Sequence, residues 1–340
     1  MGIKRSTPAA QRIADALDAN PKIANLTLAK QLFKKYPNSW ISVEACRSAI
    51  RIQRGAYGES SRTKVKVVHS RTKEESEQCR TWGALLPEAQ DSKWSWQTLP
   101  KDIKRWLVLS DIHIPFHDPV ALKVALEYAH GECDGVLLNG DTLDCYALSR
   151  FEKDPELVDF DGELDGAERL LDSLDSWGAK KIVFKIGNHE ARLEKYLINK
   201  APELLSSRRI RPRLSIESFL DLDKRGIQCV RSMDPIQVGK LCVLHGHEMG
   251  GGFSSPVNPA RGLYLKGKEC ALIGHEHRTS EHTEQSMRGV TVTTWSTGCL
   301  CNLRPAYRPF NKWNHGAAIL DVSGKDWHVK NFRIVDGRVV

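Results

Sequence analysis

Five short apolar runs in the sequence are each followed directly by side chains of the types that bind metal ions. These segments read SDIH at 110–113, NGDTLD at 139–144, GNHE at 187–190, HGHE at 245–248 and GHEH at 274–277. Asp111 and His113 lie two positions apart, a spacing that points both side chains to one face of an extended chain. Burying this many carboxylates and imidazoles together is costly unless they share a compensating charge. The sequence therefore predicts a site for one or two divalent cations.

The five segments together resemble the motifs of the calcineurin-like metallophosphoesterase superfamily. The matching motifs are Asp-x-His, Gly-Asp-x-x-Asp, Gly-Asn-His-Glu, His-Gly-His and Gly-His-x-His, in this order, within residues 104–320. The resemblance implies an α/β fold of four layers, an α/β/β/α sandwich in which helices flank two packed mixed sheets. It places a two-metal centre above the ends of the strands.

The resemblance also implies a set of ligands for two divalent cations. One ion would be held by Asp111, His113, Asp141 and His277, and the other by Asp141, Asn188, His245 and His275. Asp141 would bridge the two ions. Oxygen and nitrogen donors without thiolate suit Mn²⁺, Fe or Zn²⁺ and do not choose among them. His247 would contact the substrate, although the sequence alone leaves the roles of His245 and His247 interchangeable.

His189 and Asp144 are the catalytic residues that the resemblance implies. In relatives the equivalent histidine pairs with the second aspartate of Gly-Asp-x-x-Asp, and a carboxylate partner raises the pKa of an imidazole. A protonated His189 would stabilise the phosphoryl oxygens or protonate the leaving group. Arg192 is expected either to bind the substrate phosphate or to form a surface ion pair with Glu190 or Glu194.

The activity implied by these motifs is hydrolysis of phosphate esters by a hydroxide that bridges the two metal ions. Cys145 follows Asp144 where protein Ser/Thr phosphatases of the superfamily have arginine, and Glu190 stands where its nucleases usually have aspartate. The preferred substrate is nucleic acid, cleaved by a phosphodiesterase or nuclease. The alternatives are a phosphomonoesterase for nucleotides or proteins with a protein-docking N-terminal part, and a DNA-binding or scaffold protein without catalysis.

Residues 1–55 predict a small domain of three helices. The helical patterns are PAAQRIADALDAN, NLTLAKQLFKKYP and SVEACRSAIRIQRG, the last capped by Ser42 and closed by Gly55. A basic stripe runs beside the apolar stripe of the third helix and consists of Arg47, Arg51 and Arg54. This arrangement resembles a helix-turn-helix unit, whose last helix enters the major groove of DNA. A bundle with solvated arginines, or a protein-docking module, is the alternative.

The positive charge of the chain is concentrated at its N-terminal end. Residues 1–80 contain 16 Lys and Arg against 7 Asp and Glu, whereas the other residues contain 34 against 35, in a chain of net charge +8. Such a surplus favours an anionic partner for this part of the chain. Residues 56–100 are interpreted as a linker with a short strand at 65–68, and residues 101–340 as the metallophosphoesterase domain.

Composition and segment lengths exclude several classes of protein. No apolar run approaches the about 18 residues of a membrane span, and the N-terminus lacks the apolar core of a signal peptide. Nine cysteines without paired spacing predict reduced thiols. We therefore expect a cytoplasmic protein. A basic helical N-terminus ahead of this core resembles phosphoesterases of bacteriophage and prophage genomes, so the cytoplasm would be that of a bacterial host. No pattern indicates an oligomeric state.

The segment after the last ligand motif, WSTGCLCNLRPAYRPFNKWNHGAAILDV at 295–322, is rich in aromatic and basic side chains. One interpretation is a substrate rim that stacks on bases or binds phosphates through Arg304, Tyr307, Arg308 and Trp313. The other interpretation is a loop followed by a closing strand at 317–322.

Overall fold

The computed structural model describes residues 7–54, 94–250, 257–324 and 326–340. The chain divides into two compact units, Met1–Asp91 and Ser92–Val340. Three expectations from the sequence lie outside the described residues: most of the linker, the strand at 65–68 and the closure of the third helix by Gly55.

Three helices form the described part of the first unit: α1 Pro8–Ala19, α2 Asn25–Lys35 and α3 Val43–Gln53. The side-chain oxygen of Ser42 accepts a hydrogen bond from the N–H of Ala45 and caps α3, as the sequence predicts. The apolar faces of the three helices share a core of Ile13, Leu28, Ala29, Leu32, Cys46 and Ile50. These residues confirm the helical periodicity read from the sequence.

Two β-sheets form the centre of the second unit. The strands are β1 Gln97–Thr98, β2 Arg105–Leu109, β3 Gly135–Asn139, β4 Lys181–Lys185, β5 Gln228–Val230, β6 Ile236–Val238, β7 Leu241–Val243, β8 Ala271–Ile273, β9 Ser280–Gln285, β10 Thr291–Ser296, β11 His315–Ser323, β12 Asp326–Val335 and β13 Arg338–Val339. The larger sheet has the order β13-β12-β11-β2-β3-β4-β5, and the smaller one β1-β6-β7-β8-β10-β9. Each contains both parallel and antiparallel pairs, so both sheets are mixed, as predicted.

Helices cover the outer faces of these sheets. In the second unit they are α4 Pro119–Ala129, α5 Phe160–Trp177, α6 Ala191–Lys200, α7 Pro202–Ser206, α8 Ile216–Phe219 and α9 Pro259–Gly267. Leu107 and Leu109 of β2 belong to one core with residues of α4, α5 and α6. Their neighbours Trp106 and Val108 belong to a second core with the smaller sheet. This alternation, which follows from the period of two in a strand, packs one face of the larger sheet on helices and the other on the smaller sheet.

The outer face of the smaller sheet packs on α9. Ala271 and Ile273 of β8 form a third apolar core with Leu263 of α9. The layers are therefore α4, α5 and α6, then the larger sheet, the smaller sheet and α9. This arrangement confirms the four-layer α/β/β/α sandwich expected from the sequence.

Strand direction brings the polar segments together. Strands β2, β3 and β4 are parallel to one another, so the loops that follow them leave the larger sheet at one edge. Strands β7 and β8 are also parallel and precede the two histidine-rich segments. Among the described residues, no helix combines the length and apolarity needed to cross a lipid bilayer.

Candidate metal centre

The backbone is left-handed at five of the seven predicted ligands. Their φ angles lie between 54° and 64°, at Asp111, His113, Asp141, His275 and His277. A residue with a Cβ in this region costs about 1–3 kcal/mol, and such residues cluster at functional sites. The sharp turns that follow the strands therefore aim these side chains toward one place at the expense of local backbone strain.

One cluster of ring nitrogens and carboxylate oxygens matches the first predicted ligand set. Nε2 of His277 lies 3.1 Å from Oδ1 of Asp111 and 3.2 Å from Nε2 of His113. Nε2 of His113 lies 3.9 Å from Oδ2 of Asp141. All four side chains are buried. The four predicted ligands of the first ion thus face one another.

A second cluster shares Asp141 with the first. Nε2 of His245 lies 3.2 Å from Oδ2 of Asp141 and 3.2 Å from Oδ1 of Asn188. One ligand atom each from Asp141, His245 and His275 lie within 4.8 Å of one another. The structure therefore brings all seven predicted ligands together, with Asp141 at the junction of the two clusters.

The donor set fits divalent cations. Oδ1 of Asp111 is buried and accepts no hydrogen bond, although a ring nitrogen lies close by. Burial opposes the ionisation of Asp141, but the imidazoles of His245 and His189 outweigh it and hold the pKa of Asp141 well below its ordinary value. A buried carboxylate oxygen without a donor is costly, and a cation in contact with Asp111 would remove that cost.

Glu190 organises the loop that carries Asp141. Its carboxylate accepts hydrogen bonds from the backbone N–H groups of Asp141, Thr142, Leu143 and Gly187, at 2.6–3.1 Å. Burial, followed by the charge of Asp141, raises the pKa of Glu190 to about 7, and the backbone donors oppose this rise. The sequence motif marked Glu190 only as a departure from the nucleases, so this positioning role was missed.

Gly187 is required where the loops after β3 and β4 meet. A Cβ at Gly187 would overlap the carboxylate and the backbone nitrogen of Asp141. The absence of a side chain at this position lets Asn188 approach the shared aspartate.

We expect Glu190→Gln to weaken binding of divalent metal by about 10–100-fold, the usual effect of removing a partner that orients ligands. One pair of backbone N–H groups would then face an amide NH₂ in place of an acceptor oxygen. Binding of Mn²⁺ can be measured by calorimetry. Glu194→Gln, at an exposed position of α6, the helix that follows Glu190, is the matched control. Equal affinities of the two variants would contradict the role of Glu190.

Glu248 organises the loop of His245 in the same way. Its carboxylate accepts hydrogen bonds from the N–H groups of His245 and Gly246, at 3.0 and 2.7 Å. It also forms an ion pair of 2.9 Å with the fully buried Lys185, the last residue of β4. Sequence reasoning missed this pair as well, because Lys185 stands in an apolar run and has no motif of its own.

Asp144 contacts two histidines. Its Oδ2 lies 3.0 Å from Nδ1 of His113 and 3.3 Å from Nδ1 of His189. Nδ1 of His189 is also 2.9 Å from the backbone carbonyl oxygen of Asp144. Asp144 therefore orients a predicted ligand as well as the predicted catalytic histidine, and the first of these contacts was not expected from the sequence.

Arg192 hydrogen bonds to the same pair. It donates to the backbone carbonyl of Asp144 at 2.9 Å, and its second terminal nitrogen lies 2.9 Å from Nε2 of His189. Burial opposes protonation of His189, but the carboxylates of Asp141 and Asp144 outweigh it and raise its pKa. The Arg192 side chain is one-fifth exposed and forms an ion pair of 3.3 Å with Asp144, not with Glu190 or Glu194 as one expectation had it. Its binding of a phosphate stays a prediction.

The structure distinguishes His245 from His247. His245 contacts the shared Asp141, whereas Nε2 of His247 lies 2.8 Å from the hydroxyl of Ser232. Burial lowers the pKa of His247 to about 4, which keeps its imidazole neutral at pH 7. The rings of His247 and His275 are 6.3 Å apart. His247 thus lies beside the second cluster with Nε2 turned to Ser232, and its contact with a substrate stays a prediction.

All eight cysteines in the described part of the chain are free thiols. Sγ of Cys301 lies 3.8 Å from Nδ1 of His277, on the side of the ring opposite Asp111. A hydrogen bond with Cys299, together with burial, raises the pKa of Cys301, so it stays protonated. Its position beside a predicted ligand was not anticipated.

Arg47 and Arg54 of the predicted basic stripe differ in their surroundings. The guanidinium of Arg54 donates hydrogen bonds to Asn25 and to the backbone carbonyls of Pro21 and Ile23. Arg47 forms an exposed ion pair of 3.3 Å with Glu44. Arg54 therefore joins α3 to the segment between α1 and α2, and a nucleic-acid contact by Arg54 would compete with these bonds.

Comparison with known proteins finds relatives in bacteriophages. The chain is 28% identical over 252 residues to the Gene 54 protein of Mycobacterium phage L5, covering 69% of this chain and 95% of that protein. No protein-family model matches the chain. This relative agrees with the likeness to bacteriophage proteins that was expected from a basic helical N-terminus ahead of the second unit.

Two solved structures are also similar. Zinc-bound Vps29 from Entamoeba histolytica is 13% identical with a TM-score of 0.36, covering 69% of this chain and 96% of Vps29. YfcE, a phosphoesterase from E. coli, is 15% identical with a TM-score of 0.31, covering 64% and 88% of the two chains. Similarity at this level transfers no function from these two proteins to this chain.

Proposed function

We propose that this chain is a metal-dependent phosphoric ester hydrolase that cleaves phosphodiesters of nucleic acid. The observation that carries the proposal is the position of Asp141, a buried carboxylate within 4 Å of ring nitrogens of both clusters. A carboxylate so placed is suited to bridge two cations. When bound, the cations would supply Lewis-acid activation of the phosphate and of the attacking water. Asp111, His113 and His277 would complete one ion site, and Asn188, His245 and His275 the other.

The residues around the clusters would bind the phosphate and move a proton. Arg192 would bind a phosphoryl oxygen, since its planar guanidinium matches that geometry. Nδ1 of His189 is held by Asp144, and its Nε2 lies 2.9 Å from a terminal nitrogen of Arg192. Once Arg192 turns to the phosphate, Nε2 would be free to carry a proton and donate it to the leaving-group oxygen. The reaction requires no side-chain nucleophile, and the protonated thiol of Cys301 does not act as one.

Hydrolysis of model substrates tests this function. With Mn²⁺, Fe²⁺ or Zn²⁺ added, the purified chain is expected to hydrolyse bis-p-nitrophenyl phosphate faster than p-nitrophenyl phosphate, and to lose this activity on chelation. Faster hydrolysis of the monoester would favour the alternative, a phosphomonoesterase for nucleotides or proteins. No hydrolysis of either ester with any of these metals would contradict both.

We also propose that the N-terminal unit binds nucleic acid through Arg47 and Arg51 of α3. The surplus of Lys and Arg in residues 1–80 supports this proposal. Binding of duplex DNA by the full chain would then weaken steeply with salt, because phosphate contacts release counterions. Binding that does not change with salt would contradict it.

A further inference from the structure

The segment 302–313, called here the rim segment, begins and ends at loops of the metal centre. At its start, the N–H of Asn302 donates to the carbonyl of Phe116, three residues beyond His113, at 2.8 Å. Just past its end, the N–H of Asn314 donates to the carbonyl of His277 at 3.0 Å. Within it, the side chain of Asn311 donates to two backbone carbonyls at 2.7 and 2.9 Å. The rim segment is therefore a fixed loop beside the clusters.

Aromatic rings of the rim segment extend outward from a predicted metal ligand. The ring of Trp313 lies 4.3 Å from that of His277, and the ring of Tyr307 lies 6.4 Å from that of Trp313. The rings of Trp313 and Tyr307 therefore form a path from a predicted ligand to the outer surface of the rim segment.

The outer surface of the rim segment is aromatic and cationic. Tyr307 is 78% exposed and Phe310 is 98% exposed. Rings exposed to water in this way contribute no hydrophobic stabilisation to the fold. Among the described residues, the side chains of Arg304, Arg308 and Lys312 form no ion pair. Surfaces that bind unpaired bases and their phosphates typically combine exposed aromatic rings with cations that have no ion-pair partner.

We propose that the rim segment binds an unpaired nucleobase next to the phosphate at the metal centre, by stacking the base on Tyr307 and Phe310. Arg308 would bind a neighbouring phosphate of the same strand. The substrate class is therefore single-stranded nucleic acid, because the faces of bases within a duplex are already stacked on each other. This inference rests on the proposed phosphodiesterase function.

The test compares oligonucleotides that differ only in their bases. Binding of the full chain with Mn²⁺ is measured on a single-stranded phosphorothioate 12-mer and on the same backbone with abasic sites throughout. We expect Tyr307→Ala and Phe310→Ala to weaken binding of the base-bearing strand about 5–100-fold more than that of the abasic strand. Tyr307→Phe, which keeps the ring, should bind like the unmodified chain. Tyr196→Ala, an exposed aromatic of α6, should change neither affinity.

A fluorescent base reports stacking directly. An oligonucleotide that contains 2-aminopurine should lose fluorescence on binding, and the Tyr307→Ala/Phe310→Ala double variant should abolish this quenching. Equal losses of affinity for the base-bearing and abasic strands, or quenching of 2-aminopurine that persists in the double variant, would overturn the proposal. Hydrolysis of bis-p-nitrophenyl phosphate by the unmodified chain distinguishes these outcomes from a failure of the proposed function itself.

Discussion

Asp141→Asn is expected to reduce the content of divalent metal from two ions per chain to one at most. Phosphodiester hydrolysis should fall by about 10³-fold or more, because the bridging carboxylate supports several kcal/mol of charge stabilisation at the phosphate. The physical reason is that an amide offers one neutral oxygen where two clusters converge on Oδ2 of Asp141. Metal content is measured by elemental analysis, and turnover with bis-p-nitrophenyl phosphate.

Two further variants show whether the loss belongs to the metal centre. Asp165→Asn, an exposed position of α5, should retain both ions and full turnover. His189→Gln should retain both ions yet lose turnover by about 10²–10⁴-fold, the contribution of a general acid. Loss of metal from His189→Gln would mean that this histidine is a ligand. If Asp141→Asn retained two ions, the prediction that Asp141 bridges them would be wrong.

Lys185→Met is expected to lower the free energy of unfolding by about 3–5 kcal/mol, because it leaves the buried carboxylate of Glu248 without its cation. The Lys185 ammonium also donates to the backbone carbonyls of Asp234 and Ser232, at 2.9 and 3.2 Å. Urea unfolding followed by circular dichroism measures the change. Lys181→Met is the matched control, since Lys181 is the exposed first residue of the same strand. Equal stability of the two variants would contradict the claim.

The same pair makes stability depend on pH. Burial opposes the ionisation of Glu248, but the ammonium of Lys185 and the N–H of Gly246 outweigh it and lower the pKa of Glu248 from 4.5 to about 2. A group with a lowered pKa stabilises the fold fully above its unfolded pKa, and this contribution is lost as pH falls toward the folded pKa. The difference in stability between the unmodified chain and Lys185→Met should therefore shrink as pH falls from 4.5 to 2. A constant difference over this range would exclude the mechanism.

The positions of several strands in the second unit could be predicted from the sequence, because a strand depends on residues that are close together along the chain. Apolar runs of four to six residues mark β2, β3, β4 and β10, and a polar segment at the end of a strand lies at the edge of a sheet whatever else surrounds it. This rule predicted a metal site at the strand ends, and the resemblance of the motifs to the metallophosphoesterase superfamily supplied the seven ligands. The structure then places them within contact of one another.

The supporting residues could not be read in this way, because their roles depend on contacts between distant positions. Glu190 binds the backbone of a loop 47–49 residues earlier, and Lys185 meets Glu248 across 63 positions. No periodic pattern in the sequence predicts either contact. Arg54 shows the same limit in the first unit, since the pattern of α3 predicts a basic stripe but not the carbonyls that hold this guanidinium.

The sequence by itself indicated which side chains meet, through the polar segments at the strand ends and the resemblance of those segments to the motifs of a known superfamily. Only the tertiary structure decided how they are held: the buried carboxylates of Glu190 and Glu248 accept the backbone N–H groups of the ligand loops, and Asp144 is shared between His113 and His189. The physical reason is that strand ends follow from hydrophobic periodicity along the chain, whereas a buried charge is tolerated only where partners from other segments arrive in three dimensions.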